Sequence, residues 1–117
     1  MIEIFEKFKD YISEVSIKKF EEEHNSYRFS AEIKFNDGSL LYIKDYKFED
    51  GSRKYSYHWI DKKGNLTIRW DNADHWKDIS TLPHHKHVGK DNKIESSRTV
   101  YLEDVLIEIT NALRIGV

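Results

Sequence analysis

Cysteine is missing from the 117 residues, and proline and methionine occur once each. Without thiols there is no disulfide framework, no thiolate zinc site and no cysteine nucleophile. No apolar stretch approaches the ~18 residues of a membrane helix, so a membrane span is excluded. The opening MIEIFEKFKD has neither the basic start nor the apolar stretch of a secretory signal, and the expected location is cytoplasmic. With five glycines and one proline there is also no repeat, low-complexity tract or linker that would divide the chain.

Hydrophobic residues make up 38% and charged residues 34%, with 3 Trp, 7 Tyr and 6 Phe, which excludes a disordered chain. Area scaling gives roughly 20,000 Å² unfolded and 6,700 Å² folded at 14.0 kDa, so about two-thirds of the surface can be buried without staples. A single domain over residues 1–117 follows. The net charge of -2 hides an asymmetry. Residues 1–50 carry 8 basic and 12 acidic groups, 51–100 carry 10 and 6, and 101–117 carry 1 and 3, so the balance runs -4, +4, -2. Five of the six histidines, His58, His75, His84, His85 and His87, share the basic middle. Anion binding or acid–base chemistry belongs there if anywhere, although on charge alone a solvated face is the better reading.

Near the start, Ile4, Phe5, Phe8, Tyr11, Ile12 and Val15 recur at intervals of three and four opposite Glu6, Lys7, Lys9 and Asp10. The spacing predicts a helix near residues 2–13. From Val15 the period becomes two, clearest where Tyr27, Phe29, Ala31, Ile33 and Phe35 alternate with Arg28, Ser30, Glu32 and Lys34. Turn signals at His24-Asn25-Ser26, Asn36-Asp37-Gly38-Ser39, Asp50-Gly51-Ser52 and Lys62-Lys63-Gly64-Asn65 suit successive hairpins. Residues 71–98, with Pro83, Gly89 and many polar side chains, read as one long loop. Leu102, Val105, Leu106, Ile109, Ala112 and Leu113 predict a second amphipathic helix, with Glu103 and Asp104 in its first turn. The expected fold is α+β: a four- to five-stranded antiparallel meander packed by an N-terminal and a C-terminal helix. Its expected core contains Phe29, Ile33, Tyr57, Trp59, Ile68, Leu106 and Ile109.

Along 53–62, Tyr55, Tyr57 and Trp59 alternate with Lys54, Ser56, His58 and Ile60; along 65–71, Leu66, Ile68 and Trp70 alternate with Thr67, Arg69 and Asp71. A two-residue Lys63-Gly64 turn sets Trp59 opposite Ile68, Tyr57 opposite Trp70, His58 opposite Arg69 and Ser56 opposite Asp71. A three-residue loop with Gly64 in a bulge would shift the pairing by one and mix the faces, so the two-residue turn is expected. The aromatic stripe coincides with the face the helices need and reads as core rather than as a base-stacking platform. His58, Arg69 and Asp71 converge on the polar side, where an exposed cross-strand ion pair is the plain alternative to a site.

Four histidines fall within residues 75–87. His85 and His87 with His75 or Asp71 have the chemistry of a zinc site, but the spacing matches no zinc signature and Lys86 between two ligands opposes a cation. No metal and no cofactor is expected. Imidazole titrates near pH 6.5, so two histidines and an arginine around a phosphodiester supply base, acid and anion clamp.

The run Tyr55-Ser56-Tyr57-His58-Trp59, then Gly64, then Arg69-Trp70-Asp71-Asn72-Ala73 with His75, then Pro83-His84-His85-Lys86-His87 and the late Leu102 to Ile109 helix resembles the TumE-like family. These are small prokaryotic proteins regarded as toxins of toxin–antitoxin pairs, typically beside a helix-turn-helix antitoxin. The resemblance spans about residues 14–109 and implies a toxin with such a partner. It carries no settled catalytic assignment; ribonuclease activity is an analogy with other small toxins. On that footing the expected catalytic residues are His58, Arg69, Asp71, His85 and His87, and the expected substrate contacts on RNA are Asn72, His75 and Lys86. The competing readings are a non-enzymatic binding module whose histidine-rich loop docks a partner, and a metal-dependent hydrolase using the same histidines.

Overall fold

The computed structural model describes residues 2–72, 85–89, 93–96 and 100–114. These form an open antiparallel sheet whose seven strands follow chain order: β1 (Ile12–Glu23), β2 (Ser26–Phe35), β3 (Leu40–Lys47), β4 (Arg53–Ile60), β5 (Leu66–Asp71), β6 (His85–Val88) and β7 (Lys93–Ser96). Helices α1 (Ile2–Lys7) and α2 (Leu102–Arg114) belong to one face, where Lys7 and Glu103 pair across them. On that face Phe29, Ile33, Phe35, Leu41, Tyr57, Trp59 and Trp70 are buried with Val105, Leu106 and Ile109 of α2, and Ile68 packs against them half-exposed. Asp104 Oδ2 accepts the Tyr101 N–H at 2.8 Å, closing the first turn of α2. No described helix is long and apolar enough to cross a membrane.

Three expectations change. The first helix ends at Lys7, a short 3-10 turn covers Lys9–Tyr11, and Ile12 already begins β1. After Lys7 the bonding tightens to i→i−3, Phe8 N–H to the Phe5 carbonyl at 3.2 Å and Tyr11 N–H to the Phe8 carbonyl at 3.0 Å. Asn36 then takes the Asp10 and Tyr11 carbonyls, through Nδ2 at 2.7 Å and its backbone N–H at 2.9 Å, and draws the chain into β1. The apolar residues nevertheless face as their spacing implies, since Ile4, Phe5, Tyr11, Ile12 and Val15 all pack on the core. The four- to five-stranded sheet becomes seven-stranded because part of the expected loop forms β6 and β7. In His85-Lys86-His87-Val88 there is little apolar alternation to read. These strands are held by ladder pairing to β5 and to each other.

The third change concerns the β4–β5 turn. Asp61 and Asn65 close a three-residue loop, with Asp61 N–H donating to the Asn65 carbonyl and Gly64 N–H to the Asp61 carbonyl, both at 2.9 Å. Gly64 takes φ +87°. This is the bulged loop rather than the two-residue turn, and it does shift Ile60 to pair with Leu66. A second irregularity between Trp59 and Ile60 cancels the shift, so Trp59 meets Ile68, Tyr57 meets Trp70 and His58 meets Arg69 as expected. The β2–β3 and β3–β4 hairpins close the same way, at Phe35/Ser39 with Gly38 and at Phe48/Ser52 with Gly51.

Candidate functional site

Strand alternation divides the sheet into a helix-covered apolar face and a polar one, open among the described residues over β2 to β4. Register lines up Glu32, Tyr42, His58, Arg69 and His87 in one row across β2 to β6. The neighbouring row runs Ser30, Lys44, Ser56, Asp71 and His85. Thus three residues singled out from the sequence, His58, Arg69 and His87, stand side by side on adjacent strands, with Asp71 one row along.

Arg69 is the hub. Its Nε lies 3.2 Å from Asp71 Oδ2, and its Nη2 lies 3.0 Å from His87 Nε2. A guanidinium has only donors, so His87 accepts at Nε2 and carries its proton on Nδ1 in this arrangement. The same Nε2 is 3.4 Å from Asp71 Oδ2, so a proton placed there would turn the imidazole toward the carboxylate. His87 is enclosed, 1% exposed, and Asp71 is 7% exposed, while the Arg69 side chain keeps about a third of its surface, 34%. Two buried groups therefore fix an arginine that still reaches the open face.

His58 lies on the other flank, half-buried, its ring centroid 6.2 Å from that of Tyr42. Burial first, and the Arg69 charge second, hold its imidazole below the usual histidine range. Beside it a groove of about 270 Å³ is lined by Lys18, Ser30, Tyr42, Lys44, Ser56 and His58.

The other expected residues fall elsewhere. Asn72 clamps β4, its Oδ1 accepting the Tyr55 N–H at 3.0 Å and its Nδ2 donating to the Arg53 carbonyl at 2.6 Å. Its amide extends the β4–β5 ladder past Asp71. Lys86 points to the helix side, 4.0 Å from Glu108 of α2, and so lies on the opposite face from His87. The backbone of His85 pairs with Asp71, but its side chain, like all of His75 and His84, lies outside the described residues. Among the described residues no three His, Asp or Glu side chains are grouped to hold a metal ion.

Sequence reasoning passed over Tyr42, Lys44 and Tyr46, although their alternation with Leu41, Ile43 and Asp45 carries the signal. It also missed a buried polar network on the helix face. Arg53 forks onto Asp45, Nε to Oδ1 at 2.8 Å and Nη2 to Oδ2 at 3.1 Å, while Tyr27 and Tyr57 donate to the same carboxylate at 3.1 and 3.0 Å. Its guanidinium carbon lies 4.4 Å from the Tyr55 ring and 4.0 Å from the Tyr101 ring. Burial works against the Arg53 charge, but the Asp45 hydrogen bonds and the neighbouring charges outweigh it and raise its pKa. Burial pushes the Tyr55 hydroxyl up to about 12. This network fixes the fold on the side away from the Arg69 row.

The chain matches no curated protein and no solved structure. The family described as Toxin TumE does match, over residues 1–113, and with the histidine and arginine segments in the matched span the chain belongs to the TumE toxin family.

Proposed function

We propose that this TumE-family toxin cleaves RNA without a metal ion, with His58 as the base and Arg69 as the phosphate clamp. The observation that carries the reading is Arg69 itself, one-third exposed, tied from behind by Asp71 and His87 and flanked by His58 on the next strand. In the reaction, His58 removes the proton from a 2'-hydroxyl, whose oxygen attacks the adjacent phosphorus. The bond to the 5'-oxygen breaks, that oxygen takes a proton, and a cyclic phosphate remains. Arg69 meets the charge that develops on the phosphate oxygens. Asp71 and His87 position Arg69 rather than touch the substrate, since both are buried. His85, whose backbone pairs with Asp71, is the candidate for the acid. The partner is a cognate antitoxin, proposed to be of the helix-turn-helix type that the family resemblance implies.

One observation favours a second reading: with His87 enclosed and bonded to Arg69, the cluster also suits a device that locks β6 onto β5 in a non-enzymatic binding module. Incubating the purified chain with total RNA, with and without chelator, and mapping the ends separates the two. Cyclic phosphate ends formed in chelator support the proposal. No cleavage by a folded chain favours the binding module, and cleavage restored only by added zinc favours a metal-dependent hydrolase.

A further inference from the structure

Resting on the ribonuclease reading, we propose that the substrate is single-stranded RNA lying along the open face of β2, β3 and β4. One unpaired base would occupy the groove between Tyr42 and Tyr46. On β3 the alternation puts Tyr42, Lys44 and Tyr46 on that face, successive ones ~6.6 to 6.8 Å apart along the strand. In the middle row Lys44 is flanked by Ser30 and Ser56, whose small side chains leave the depression of about 270 Å³. One side of the depression is bounded by Tyr42, 38% exposed, which abuts His58. The next row on the other side is Arg28, Tyr46 and Lys54, a half-buried ring between two exposed cations. A column of rings thus leads through the groove to His58 and Arg69.

The charge along this track is suited to a phosphate backbone. Lys18, Arg28, Lys44, Lys54 and Arg69 border it, against Glu32, the paired Asp71 and Glu21, which stands opposite Arg28 on β1 and lies 3.8 Å from Lys19. Arg28 and Lys44 each lie 5.9 Å from the Tyr46 ring, at the outer limit of cation–π attraction. Both are exposed, so both can swing onto phosphates and uncover the ring at little loss. Rings rising from a sheet can stack only on bases whose faces are free, whereas a duplex presents backbone and groove edges. The strand must therefore be unpaired where it crosses β3.

The test uses the full chain and a labelled, uncleavable 2'-O-methyl RNA, single-stranded or annealed to its complement, with binding read by fluorescence anisotropy. The single strand should bind at least tenfold more tightly than the duplex. Tyr46→Ala and Tyr42→Ala should each weaken single-strand binding by a factor of ~5 to 150, while Tyr46→Phe, which keeps the ring, retains it. Arg28→Gln with Lys54→Gln should flatten the slope of log K against log salt by ~1.4. Equal affinity for the duplex, or unchanged binding in the folded Tyr46→Ala and Tyr42→Ala variants, would overturn the inference, as would no binding of either form. Native RNA incubated in parallel decides the underlying reading separately. Cleavage there with no ring dependence sinks only the track; ring-dependent binding without cleavage sinks only the ribonuclease.

Discussion

His58 is held neutral by two neighbours that act in the same direction, its burial and the Arg69 charge. As pH falls through the ordinary histidine value of ~6.5, the unfolded chain takes up this proton before the folded one does. The stability His58 contributes is therefore full above that pH and is lost as pH drops toward its lower folded value. In denaturant unfolding at pH 7.5 and 5.5, His58→Gln should reduce the loss of stability on acidification relative to the parent. The same depression leaves a neutral base at neutral pH, so activity should fall on the acid side only below pH ~6.5. Arg69→Lys keeps the charge but loses the fork that reaches both Asp71 and His87. Cleavage should drop by ~10² to 10³, the scale of losing one group that stabilises developing charge. Asp45 is the opposite case, a residue that matters for folding alone. Asp45→Ala removes the carboxylate that pairs the buried Arg53 guanidinium and accepts from Tyr27 and Tyr57, leaving Arg53, among the described residues, only its 2.7 Å bond to the Tyr57 hydroxyl, and should lower stability by ~3 to 5 kcal/mol in urea unfolding.

Three hairpins built on one design set the register that brings the site together. Each has a three-residue loop with a glycine at φ +87° or +88°, conformations that L residues with a Cβ resist. A Cβ at Gly64 meets nothing within 4 Å, so Gly64→Ala should cost about 1 to 2 kcal/mol from the backbone alone. At Gly38 it would also come 3.2 Å from Lys62 Cβ, so thermal melts should rank Gly38→Ala below Gly64→Ala. Much of this layer was legible in the residues. Period two in β2 to β5, with Trp59, Ile68, Tyr57 and Trp70 all apolar, excludes a one-residue slip that would mix the faces, and the structure keeps that parity despite the bulged turn. The early start of β1 was not legible, because the Asp10 and Tyr11 carbonyls are taken by Asn36 from a hairpin distant in the chain. Strands β6 and β7 were illegible for a different reason: His85, Lys86 and His87 lack apolar alternation, and only a neighbouring strand makes them extended. The site divided along the same line. Parity revealed His58, Arg69 and Asp71, whereas placing His87 in the row of His58 and Arg69, and Lys86 behind them, required β6.

Across the whole molecule the sheet separates the stabilising from the reactive chemistry. The helix face holds the core and the Asp45–Arg53 network, and the open face holds the Arg69 row and its groove. Trp59→Ala, on the first face, should destabilise by ~3 to 5 kcal/mol. His58→Ala, on the second, should cost less stability than Trp59→Ala at pH 7.5, leave the chain folded and remove toxicity. The most direct measurement is growth of a host expressing the parent, His58→Ala or Arg69→Ala chain, paired with end-mapping of RNA cleaved by each purified protein in the presence of chelator. The account predicts growth arrest and cyclic phosphate ends from the parent, and neither from the two folded variants. Equal toxicity of all three, or cleavage that disappears in chelator, would contradict it.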